Sequence, residues 1–394
     1  MKFLDELMNG LNVKWIPVGD IAELKRGTSI TKKTSIEGIY PVISGGQRPA
    51  YYINKFNRRG ETITIAGSGA YAGFVMYWNE PIFVSDAFSI KVNDKRVLSR
   101  YIYHFLLNIQ KQIYELKSGG GVPHVYAKDV ARFLVPIPCP GDPRKSLEIQ
   151  RKIVEVLDNF TELEAELEAE LEARKKQYEY YRNKLLNFDK IGGGTQSVTW
   201  MKMSEVFEIR NGYTPSKARK EFWENGTIPW FRMEDIRQNG RILSDSILHI
   251  TSKGVKGKGL FRMNSFILAT TATIGEHAWI IVDSLANQQF TNFKIRKSLE
   301  SRLTFKFVYF YFFIIDEWCK AHTNVSGFSS VDMGGLRDLL FPIPSLSEQR
   351  RIVSILDRFE ALTANLQNGL PAEISARKKQ YEYYRDQLLS FPNK

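Results

Sequence analysis

The chain contains one 16-residue segment twice. Residues 173–188 read ARKKQYEYYRNKLLNF and residues 376–391 read ARKKQYEYYRDQLLSF, with 13 of 16 positions identical. The two copies start 203 residues apart, which is about half of the 394-residue chain. Repetition at this distance predicts that one structural unit, a globular domain followed by a helix, is present twice.

The repeat extends beyond this segment, and it stops in the middle of each half. Further aligned stretches are LEIQRKIVEVLDNF (147–160) with LSEQRRIVSILDRF (346–359), FLVPIP (133–138) with LLFPIP (339–344), and residues 15–32 with 200–217, where Trp15/Trp200, Glu23/Glu208, Gly27/Gly212 and Lys32/Lys217 coincide. Between these stretches the halves diverge almost completely. We therefore expect a repeated frame that positions two different recognition surfaces.

Composition predicts a soluble globular protein with an acidic partner. The net charge of +12 indicates nucleic acid or a membrane surface, although a merely soluble basic protein has the same charge. Cys139 and Cys319 do not align with each other, so neither a disulfide framework nor a metal site is expected. No signal peptide is evident, and the most apolar run, residues 305–315, is too short to span a membrane. We expect a buried helix there and a cytoplasmic location.

Each half mixes short β-rich runs with one helical stretch, at residues 97–116 and 302–320, which predicts an α+β domain. The predicted fold is two similar globular domains separated by a pair of long antiparallel helices forming a coiled coil, with a pseudo-twofold internal repeat. The predicted boundaries are 1–142 for the first domain, 143–190 for the central helix, 191–345 for the second domain and 346–394 for the distal helix.

The first long helix would extend for roughly 65 Å over residues 145–188, with an apolar stripe too narrow for a core helix. The helix that follows the second domain is its expected antiparallel partner. IGGG at 191–194 is the expected hinge into the second domain. Gly369 and Pro371 disfavour a continuous second helix, so a kink or break is predicted there.

The first helix also contains a four-residue unit, ELEA, three times in succession within residues 161–174. A solvated acidic helix face is one explanation. The other comes from comparing the copies, because Phe160 and Arg174 are 14 residues apart whereas Phe359 and Arg377 are 18 apart. The difference equals one tetrad, or about one helical turn of ~6 Å. We therefore expect helix length to be set in whole-turn steps.

The order of these motifs resembles the DNA-specificity subunit of type I restriction–modification systems. The motifs are a W…E…G opening, a closing PIP and a long helix that begins LxxQRxIV, all of them duplicated. The resemblance implies that each variable domain is a target-recognition domain for one half of a bipartite double-stranded DNA site, and that tetrads such as ELEA set the spacing between the half-sites. It further implies that the subunit performs no catalysis. Two modification subunits and the motor–nuclease restriction subunits would be its partners. S-adenosylmethionine, ATP and Mg would be bound by those partners.

Candidate DNA contacts are basic, amide and hydroxyl side chains in Gly-rich or basic loops, because such groups bind phosphates and base edges. Plain tight turns and solvated loops are the alternative. The candidates of the first half are Lys25, Arg26, Thr28, Lys32, Lys33, Gln47, Arg48, Ser68 and His124. Those of the second half are Arg210, Asn211, Tyr213, Lys217, Arg219, Arg232, Lys256, Lys258, Thr270, Thr271, Gln288, Gln289, Ser326 and Phe328.

The repeated KKQYEYYR segments are candidates for helix pairing and subunit docking, since two identical partners need two similar surfaces. Direct DNA contact is the alternative for these cations and tyrosines. The candidates are Arg174, Lys175, Tyr178, Tyr181, Arg377, Lys378, Tyr381 and Tyr384.

Three other functions compete with DNA recognition, and the first of them, a nuclease, is disfavoured because no PD…(D/E)xK constellation stands out. An adenine methyltransferase requires an (N/D)PP(Y/F) loop, and the nearest string, NEPIF at 79–83, lacks the second proline. The glycine-rich AGSGAYAG at 66–73 precedes a predicted strand rather than a helix, which disfavours a cofactor loop. A coiled-coil adaptor with two protein-binding heads is the alternative that remains.

Overall fold

The computed structural model describes residues 10–188, 198–257, 259–324, 329–364 and 369–391. The predicted hinge at 191–194 and the candidate contacts Lys258, Ser326 and Phe328 lie outside these residues. The chain divides into two compact units. Unit 1 is Met1–Glu170 with Ala372–Lys394, and unit 2 is Leu171–Pro371. Each unit therefore contains parts of the segments that were predicted to form the two long helices.

Unit 1 is an α+β domain in which an antiparallel sheet packs on a helix. Its elements are β1 (Val13–Pro17), α1 (Val18–Ile21), β2 (Ala22–Arg26), β3 (Glu37–Ile43), β4 (Tyr52–Ile53), β5 (Thr62–Ala66), β6 (Val75–Trp78), β7 (Phe83–Val84), β8 (Ala87–Val92), α2 (Ser99–Asn108), α3 (Gln110–Glu115), α4 (Ala127–Val130), β9 (Leu134–Pro138) and the start of α5 (Pro143–Leu186). The main sheet has the order β2-β8-β5-β6, and β4-β3-β7 forms a smaller one. The core includes Ile63 and Ile90 of the main sheet with Ile102 and Phe105 of α2.

Unit 2 has the same arrangement of sheets and helix, although most of its sequence differs from that of unit 1. Its elements are β10 (Thr199–Lys202), α6 (Met203–Val206), β11 (Phe207–Asn211), β12 (Ile228–Phe231), α7 (Met233–Asn239), β13 (Ile242–Leu243), β14 (His249–Ile250), β15 (Ser265–Ala269), β16 (His277–Ile280), β17 (Leu285–Ala286), β18 (Phe290–Ile295), α8 (Phe305–Ala321), β19 (Thr323–Asn324), β20 (Ser330–Val331), α9 (Met333–Asp338), β21 (Leu340–Ile343) and α10 (Leu346–Ala364). The main sheet has the order β11-β18-β15-β16-β13, and β14-β12-β17 forms the smaller one. The apolar run at 305–315 lies in α8, and most of its side chains are buried, as predicted.

The opening tryptophan and the closing PIP motif of each half form one two-stranded ribbon. β1 pairs antiparallel with β9, and Trp15 lies opposite Pro136. β10 pairs in the same way with β21, and Trp200 lies opposite Pro342. A two-stranded ribbon tolerates proline because one edge of each strand needs no partner. The two motifs therefore recur together because they close each domain.

A buried glutamine fastens the start of each long helix to its domain. Gln150 accepts a hydrogen bond from the backbone N–H of Leu98 at 2.9 Å and donates to the carbonyl of Arg96 at 2.9 Å. Its equivalent Gln349 accepts a hydrogen bond from the N–H of Thr304 at 2.8 Å. It donates to the carbonyl of the residue that lies two positions before Thr304. Leu98 and Thr304 are the N-cap residues of α2 and α8, whose first N–H groups lack helical partners. This explains why the glutamine of LxxQR is repeated.

The segment predicted as one distal helix contains two. The helix α10 ends at Ala364, and α11 covers Leu370–Leu389. The chain bends at Gly369, and Pro371 stands in the first turn of α11, where a missing N–H leaves no helical hydrogen bond unmade. The predicted interruption at these two residues is therefore present.

Within unit 1, α5 and α11 pack antiparallel. Phe160 of α5 stacks on Tyr384 of α11, and eight residues further along α5 Glu168 forms an ion pair with Lys378 at 2.8 Å. Moving forward along α5 thus means moving backward along α11. Within unit 2, the later part of α5 runs antiparallel to α10 in the same manner, because Tyr181 stacks on Phe359 whereas Leu186 shares a core with the earlier Ile352.

No helix in the described ranges is both long enough and apolar enough to cross a bilayer. The cytoplasmic location stays a prediction.

Candidate nucleic-acid interface

Five chain segments meet at one end of the sheets of unit 1 and form a surface that we call corner 1. It consists of residues 27–28, 43–45, 67–68, 85–86 and 124–125. Backbone hydrogen bonds join these segments: Gly27 N to Ala87 O at 2.8 Å, Thr28 N to Val84 O at 2.9 Å, Ser85 N to Ile43 O at 2.8 Å, Gly67 N to Asp86 O at 3.1 Å and Val125 N to Gly67 O at 3.1 Å. Residues that lie up to 98 positions apart in sequence (27 to 125) thus form one continuous surface.

Unit 2 contains the same construction, which we call corner 2. It consists of residues 212–213, 231–232, 270–271, 287–289 and 330–331. The equivalent hydrogen bonds are Gly212 N to Phe290 O at 2.8 Å, Tyr213 N to Ala286 O at 2.9 Å, Asn287 N to Phe231 O at 3.0 Å, Thr270 N to Gln289 O at 2.9 Å and Val331 N to Thr270 O at 2.9 Å. The backbone frame is shared, although the residues that it carries differ.

One aligned glycine makes each corner possible. A Cβ atom at Gly27 would lie 2.1 Å from the carbonyl oxygen of Ser85, and one at Gly212 would lie 2.3 Å from that of Asn287. Neither oxygen can move away without breaking the corner, because the backbone around it is hydrogen-bonded. The glycine of the W…E…G motif is therefore needed for the close approach of two backbones.

Polar side chains of the predicted set meet at corner 1. Ser68 and His124 are bridged through their backbones, and the Ser68 hydroxyl donates to the carboxylate of Asp86. His124 stacks on Tyr126, with ring centroids 6.1 Å apart. Arg26, Asp86, His124 and Tyr126 line a cavity of about 90 Å³.

The remaining candidates of unit 1 surround this surface with positive charge. Lys25, Arg26, Thr28, Lys32, Lys33, Gln47 and Arg48 are all exposed. The first three end β2 or follow it, Lys32 and Lys33 begin a short 3₁₀ turn, and Gln47 and Arg48 lie in the turn after β3. Exposed cations on loops are suited to phosphate contacts.

Corner 2 presents amides where corner 1 presents a carboxylate. Gln288 is exposed, and its Oε1 accepts a hydrogen bond from the hydroxyl of Thr214. The half-buried Gln289 accepts from Asn287 Nδ2 at 3.1 Å. Arg232 lies in the same corner as the residue before α7, and its guanidinium is 3.8 Å from Glu234. Lys217, Arg219 and Lys256 are exposed, and Thr271 is half-buried.

Several candidates of unit 2 are used inside the fold, which corrects their expected role as surface contacts. Thr270 is buried, and its hydroxyl lies 2.9 Å from that of Thr291. Arg210 is half-buried and donates to the carbonyl of Gly259 at 2.9 Å, and burial lowers the pKa of its guanidinium. The Tyr213 hydroxyl donates to Gly254 O at 3.1 Å and accepts from Lys256 N at 2.6 Å. These groups build the loops that carry corner 2.

Asn211 has a mixed position. Its side chain is exposed, yet Oδ1 accepts a hydrogen bond from the hydroxyl of Thr291 at 3.1 Å.

The sequence did not indicate Asp86. It also did not indicate Asn57 and Arg58, whose side chains bond to the backbone of the strands that lead into corner 1. The Asn57 side chain donates to Val84 O at 2.9 Å and accepts from Val84 N at 2.7 Å, in the manner of an added strand. The guanidinium of Arg58 donates to Arg26 O at 3.0 Å, and burial lowers its pKa. These contacts link residues at least 27 positions apart, so no local pattern indicates them. An alignment of the segments after β7 and β17 is the signal that would have drawn attention to Asp86.

Four of the six repeated tyrosines, Tyr178, Tyr181, Tyr381 and Tyr384, contact the neighbouring helix of each pair. Phe160 contacts Tyr381 and Tyr384, and Phe359 contacts Tyr178 and Tyr181 in the same way. Burial raises the pKa of Tyr381 to about 12.

The four candidate cations of these segments have partners on their own helix or on the neighbouring one. Arg174 donates to Gln177 at 3.0 Å, and Arg377 donates to Gln380 at 3.2 Å. Lys175 pairs with Glu172 at 2.9 Å. Lys378 lies between Glu168 at 2.8 Å and Glu164 at 3.2 Å, and its hydrogen bond to Glu168 raises its pKa. The ELEA acids of unit 1 are thus more than a solvated face.

Among the described residues there is no group of three or more histidine, cysteine or acidic side chains that could hold a metal ion.

Comparison with known proteins places the chain among relatives with this organisation. The model of the family "Type I restriction modification DNA specificity domain" matches residues 11–173 and 197–376. The specificity subunit of the Escherichia coli type I restriction enzyme EcoprrI is 52% identical over 216 residues, and the match covers 53% of this chain and 54% of that protein. This chain thus spans about half the length of that relative. The EcoR124I/EcoR124II specificity subunit from Escherichia coli is 33% identical, with 100% of this chain and 98% of that protein covered.

Solved structures share the fold. An S subunit of a type I restriction–modification system from M. genitalium superposes with a TM-score of 0.56 at 18% identity, and the match covers 98% of each chain. A chain from a study of complex assembly and conformational transition in the type I R-M system gives a TM-score of 0.60 at 15% identity, covering 97% of this chain and 98% of that one. The family model matches well over half of the sequence, so this chain belongs to the type I restriction–modification DNA specificity family.

Proposed function

We propose that the chain recognises a bipartite double-stranded DNA target, reading one half-site at corner 1 and the other at corner 2, and that it performs no chemistry itself. The observation that carries this proposal is the pair of corners. They share one backbone frame and differ in the side chains that the frame exposes. A frame that repeats with different exposed side chains is suited to reading two different sequences in the same manner.

Phosphate contacts supply most of the affinity in this proposal. The exposed cations next to corner 1 include Lys25, Lys32, Lys33 and Arg48. Each lysine or arginine that neutralises a phosphate releases a counterion, so binding weakens as salt rises. These residues position the duplex, and the polar residues of the corners select its sequence.

The proposed protein partners are inferred from one helical face of the repeated segments, which the packed tyrosines do not cover. Lys176, Glu179 and Tyr180 are exposed on one helical face, and the second copy exposes the same three residues at 379, 382 and 383. Solvent-facing positions have no packing constraint, so their identity in both copies favours two copies of one partner. We assign this face to two modification subunits, which would carry S-adenosylmethionine. ATP and Mg belong to the motor–nuclease restriction subunits.

Salt-dependent binding separates this proposal from a coiled-coil adaptor. The full chain, assembled with its modification subunits, is titrated against duplex DNA between 50 and 200 mM salt, a range over which phosphate-dominated binding falls steeply. We expect Lys32→Ala and Lys33→Ala each to reduce the slope of log K against log salt by about 1. Lys95→Ala is the matched control, because this exposed lysine follows the end of β8 that lies opposite corner 1. An adaptor would bind no duplex at any salt, and that result would reject the proposal.

A further inference from the structure

The segments after β7 and β17 differ between the two corners in length and in the polar groups that they carry. Between the carbonyls that fix this segment, corner 1 has Ser85 and Asp86, whereas corner 2 has Asn287, Gln288 and Gln289. The segment of corner 2 is therefore one residue longer, and it carries amides where the segment of corner 1 carries a carboxylate. The exposed side chains are Asp86 in corner 1 and Gln288 in corner 2.

We propose that Asp86 and Gln288 determine specificity, with Asp86 reading a cytosine of one half-site and Gln288 reading an adenine of the other. The inference rests on the proposed function, because it requires both corners to contact DNA. Cytosine offers a single amino donor in the major groove, which matches a carboxylate. Adenine offers a donor and an acceptor side by side, which matches a side-chain amide.

Asp86 is an acidic residue on a surface that otherwise carries positive charge, and this position supports a contact between its carboxylate and a base. Arg26 lines the same cavity, and the loops around the corner expose further cations. Within the described residues, Asp86 nevertheless has no cation within 4 Å. A carboxylate facing a duplex is repelled by phosphates. On a DNA-binding surface it therefore weakens binding unless it accepts a hydrogen bond from a base amino group.

The carboxylate of Asp86 is held in place and left open. Ser68 donates to Oδ2, which fixes the side chain, and Oδ1 accepts no protein hydrogen bond within the described residues. Two glycines border the carboxylate: an added Cβ at Gly45 would lie 3.7 Å from Oδ2, and one at Gly67 would lie 3.6 Å from Oδ1. Gly67 therefore places no side chain between Oδ1 and an approaching base edge.

Gln288 is oriented by a hydroxyl in a similar way. Thr214 donates to Oε1, which sets the amide plane. Oε1 keeps a second lone pair for the adenine amino group, and Nε2 can donate to adenine N7. The two corners therefore present different polar groups, each oriented by a neighbouring hydroxyl.

The test selects duplexes from a library randomised at every position, using the chain assembled with its modification subunits, and compares the wild type with Asp86→Asn and Gln288→Glu. We expect Asp86→Asn to lower the preference for cytosine at one base pair of one half-site by about tenfold, with the other half-site unchanged. Gln288→Glu should shift one base pair of the other half-site from adenine towards cytosine. Glu80→Gln is the matched control, an exposed acid in the turn between β6 and β7.

An unchanged motif for Asp86→Asn would overturn the inference. So would a change in both half-sites, or a loss of selection accompanied by a lower thermal midpoint, because the residue would then act through the fold. A wild-type complex that selects no bipartite motif would refute the proposed function instead, so the two failures are distinguishable.

Discussion

The ring of Phe160 stacks on the ring of Tyr384, with centroids 5.2 Å apart and planes inclined by 21°. The equivalent pair in unit 2, Phe359 and Tyr181, has centroids 5.6 Å apart and planes inclined by 24°. In each pair the phenylalanine ends the repeated stretch that begins with LxxQR, and the tyrosine comes from the repeated KKQYEYYR. The two repeated motifs thus contact each other in both units, and this contact joins the two helices of each pair.

The Phe160–Tyr384 stack should appear as a coupling energy. In a double-mutant cycle with Phe160→Leu and Tyr384→Leu, urea denaturation should give about 1 kcal/mol of interaction free energy. The control cycle pairs Phe160→Leu with Tyr383→Leu, because the Tyr383 side chain is 55% exposed. Equal coupling in both cycles would mean that the stack contributes nothing specific.

Removing Gln150 should loosen the joint between the domain and helix of unit 1. Gln150→Leu removes the side-chain partner of two partly buried backbone groups, the Leu98 N–H and a carbonyl, so we expect a loss of about 2 kcal/mol in the free energy of unfolding. Gln112→Leu, at an exposed position of α3, should change it by less than about 0.5 kcal/mol. Similar values for the two variants would contradict the assigned role.

Gly27→Ala should damage corner 1 selectively. The new methyl group would lie 2.1 Å from the Ser85 carbonyl oxygen, so the loops must separate, at a cost of about 2–3 kcal/mol in stability. DNA affinity should fall at least tenfold in a gel-shift titration. Gly120→Ala is the control, because its Cβ would meet nothing within 4 Å. Normal affinity for Gly27→Ala would show that the corner geometry is not needed.

Acid should destabilise unit 1 through His104. This imidazole is buried, which lowers its pKa, and it lies 2.7 Å from Asp158. Folded His104 stays neutral where the unfolded residue, with a pKa of about 6.5, becomes protonated. The unfolded state then binds more protons, so stability falls as pH drops below about 6.5, by up to about 1.4 kcal/mol per pH unit.

Asp158 acts in the same direction at lower pH. Burial raises the pKa of its carboxyl, but hydrogen bonds from His104 and Arg100 outweigh burial and lower it. The stability that Asp158 contributes is fully present above the pKa of this carboxyl in the unfolded chain. It is lost as the pH falls through the lower pKa that the carboxyl has in the folded protein.

The variant His104→Phe tests the histidine effect. Between pH 6.5 and 5, urea denaturation followed by hydrogen exchange should show a shallower pH dependence in peptides of α2. Peptides of α8 in unit 2 serve as the internal control. An unchanged slope for α2 would exclude His104 as the source.

Deleting one ELEA tetrad should alter the target in one respect. The deletion removes one helical turn, ~6 Å, and leaves two tetrads that still contain Glu164 and Glu168, so we expect their ion pairs with Lys378 to be kept. The spacer between half-sites should shorten while both half-sites stay the same, as read by sequencing of methylated DNA. A changed half-site would refute a spacing role for the helix.

The sequence predicts the frame of this protein well, because the frame repeats. The paired helices, the interruption at Gly369 and Pro371 and the buried α8 all follow from motifs or apolar spacing within a few turns of chain. Gln150 and Gln349 are recognisable as a matched pair, although their capping role is not.

The recognition surfaces are harder to predict, because long-range hydrogen bonds assemble them. Asp86 is inconspicuous until β7 places it beside Ser68, which lies 18 residues earlier. Thr270 and Arg210 have side chains typical of DNA contacts, yet a buried hydroxyl pair and a backbone carbonyl occupy them. Residue type alone does not separate surface groups from internal ones in these loops.

Bipartite recognition is decided by methylome sequencing of a host that carries this chain with its modification subunit. We expect one asymmetric motif, with two specific half-sites separated by a spacer of fixed length and adenine methylation in both. Methylation confined to a single continuous motif, or no motif dependent on this chain, would contradict it.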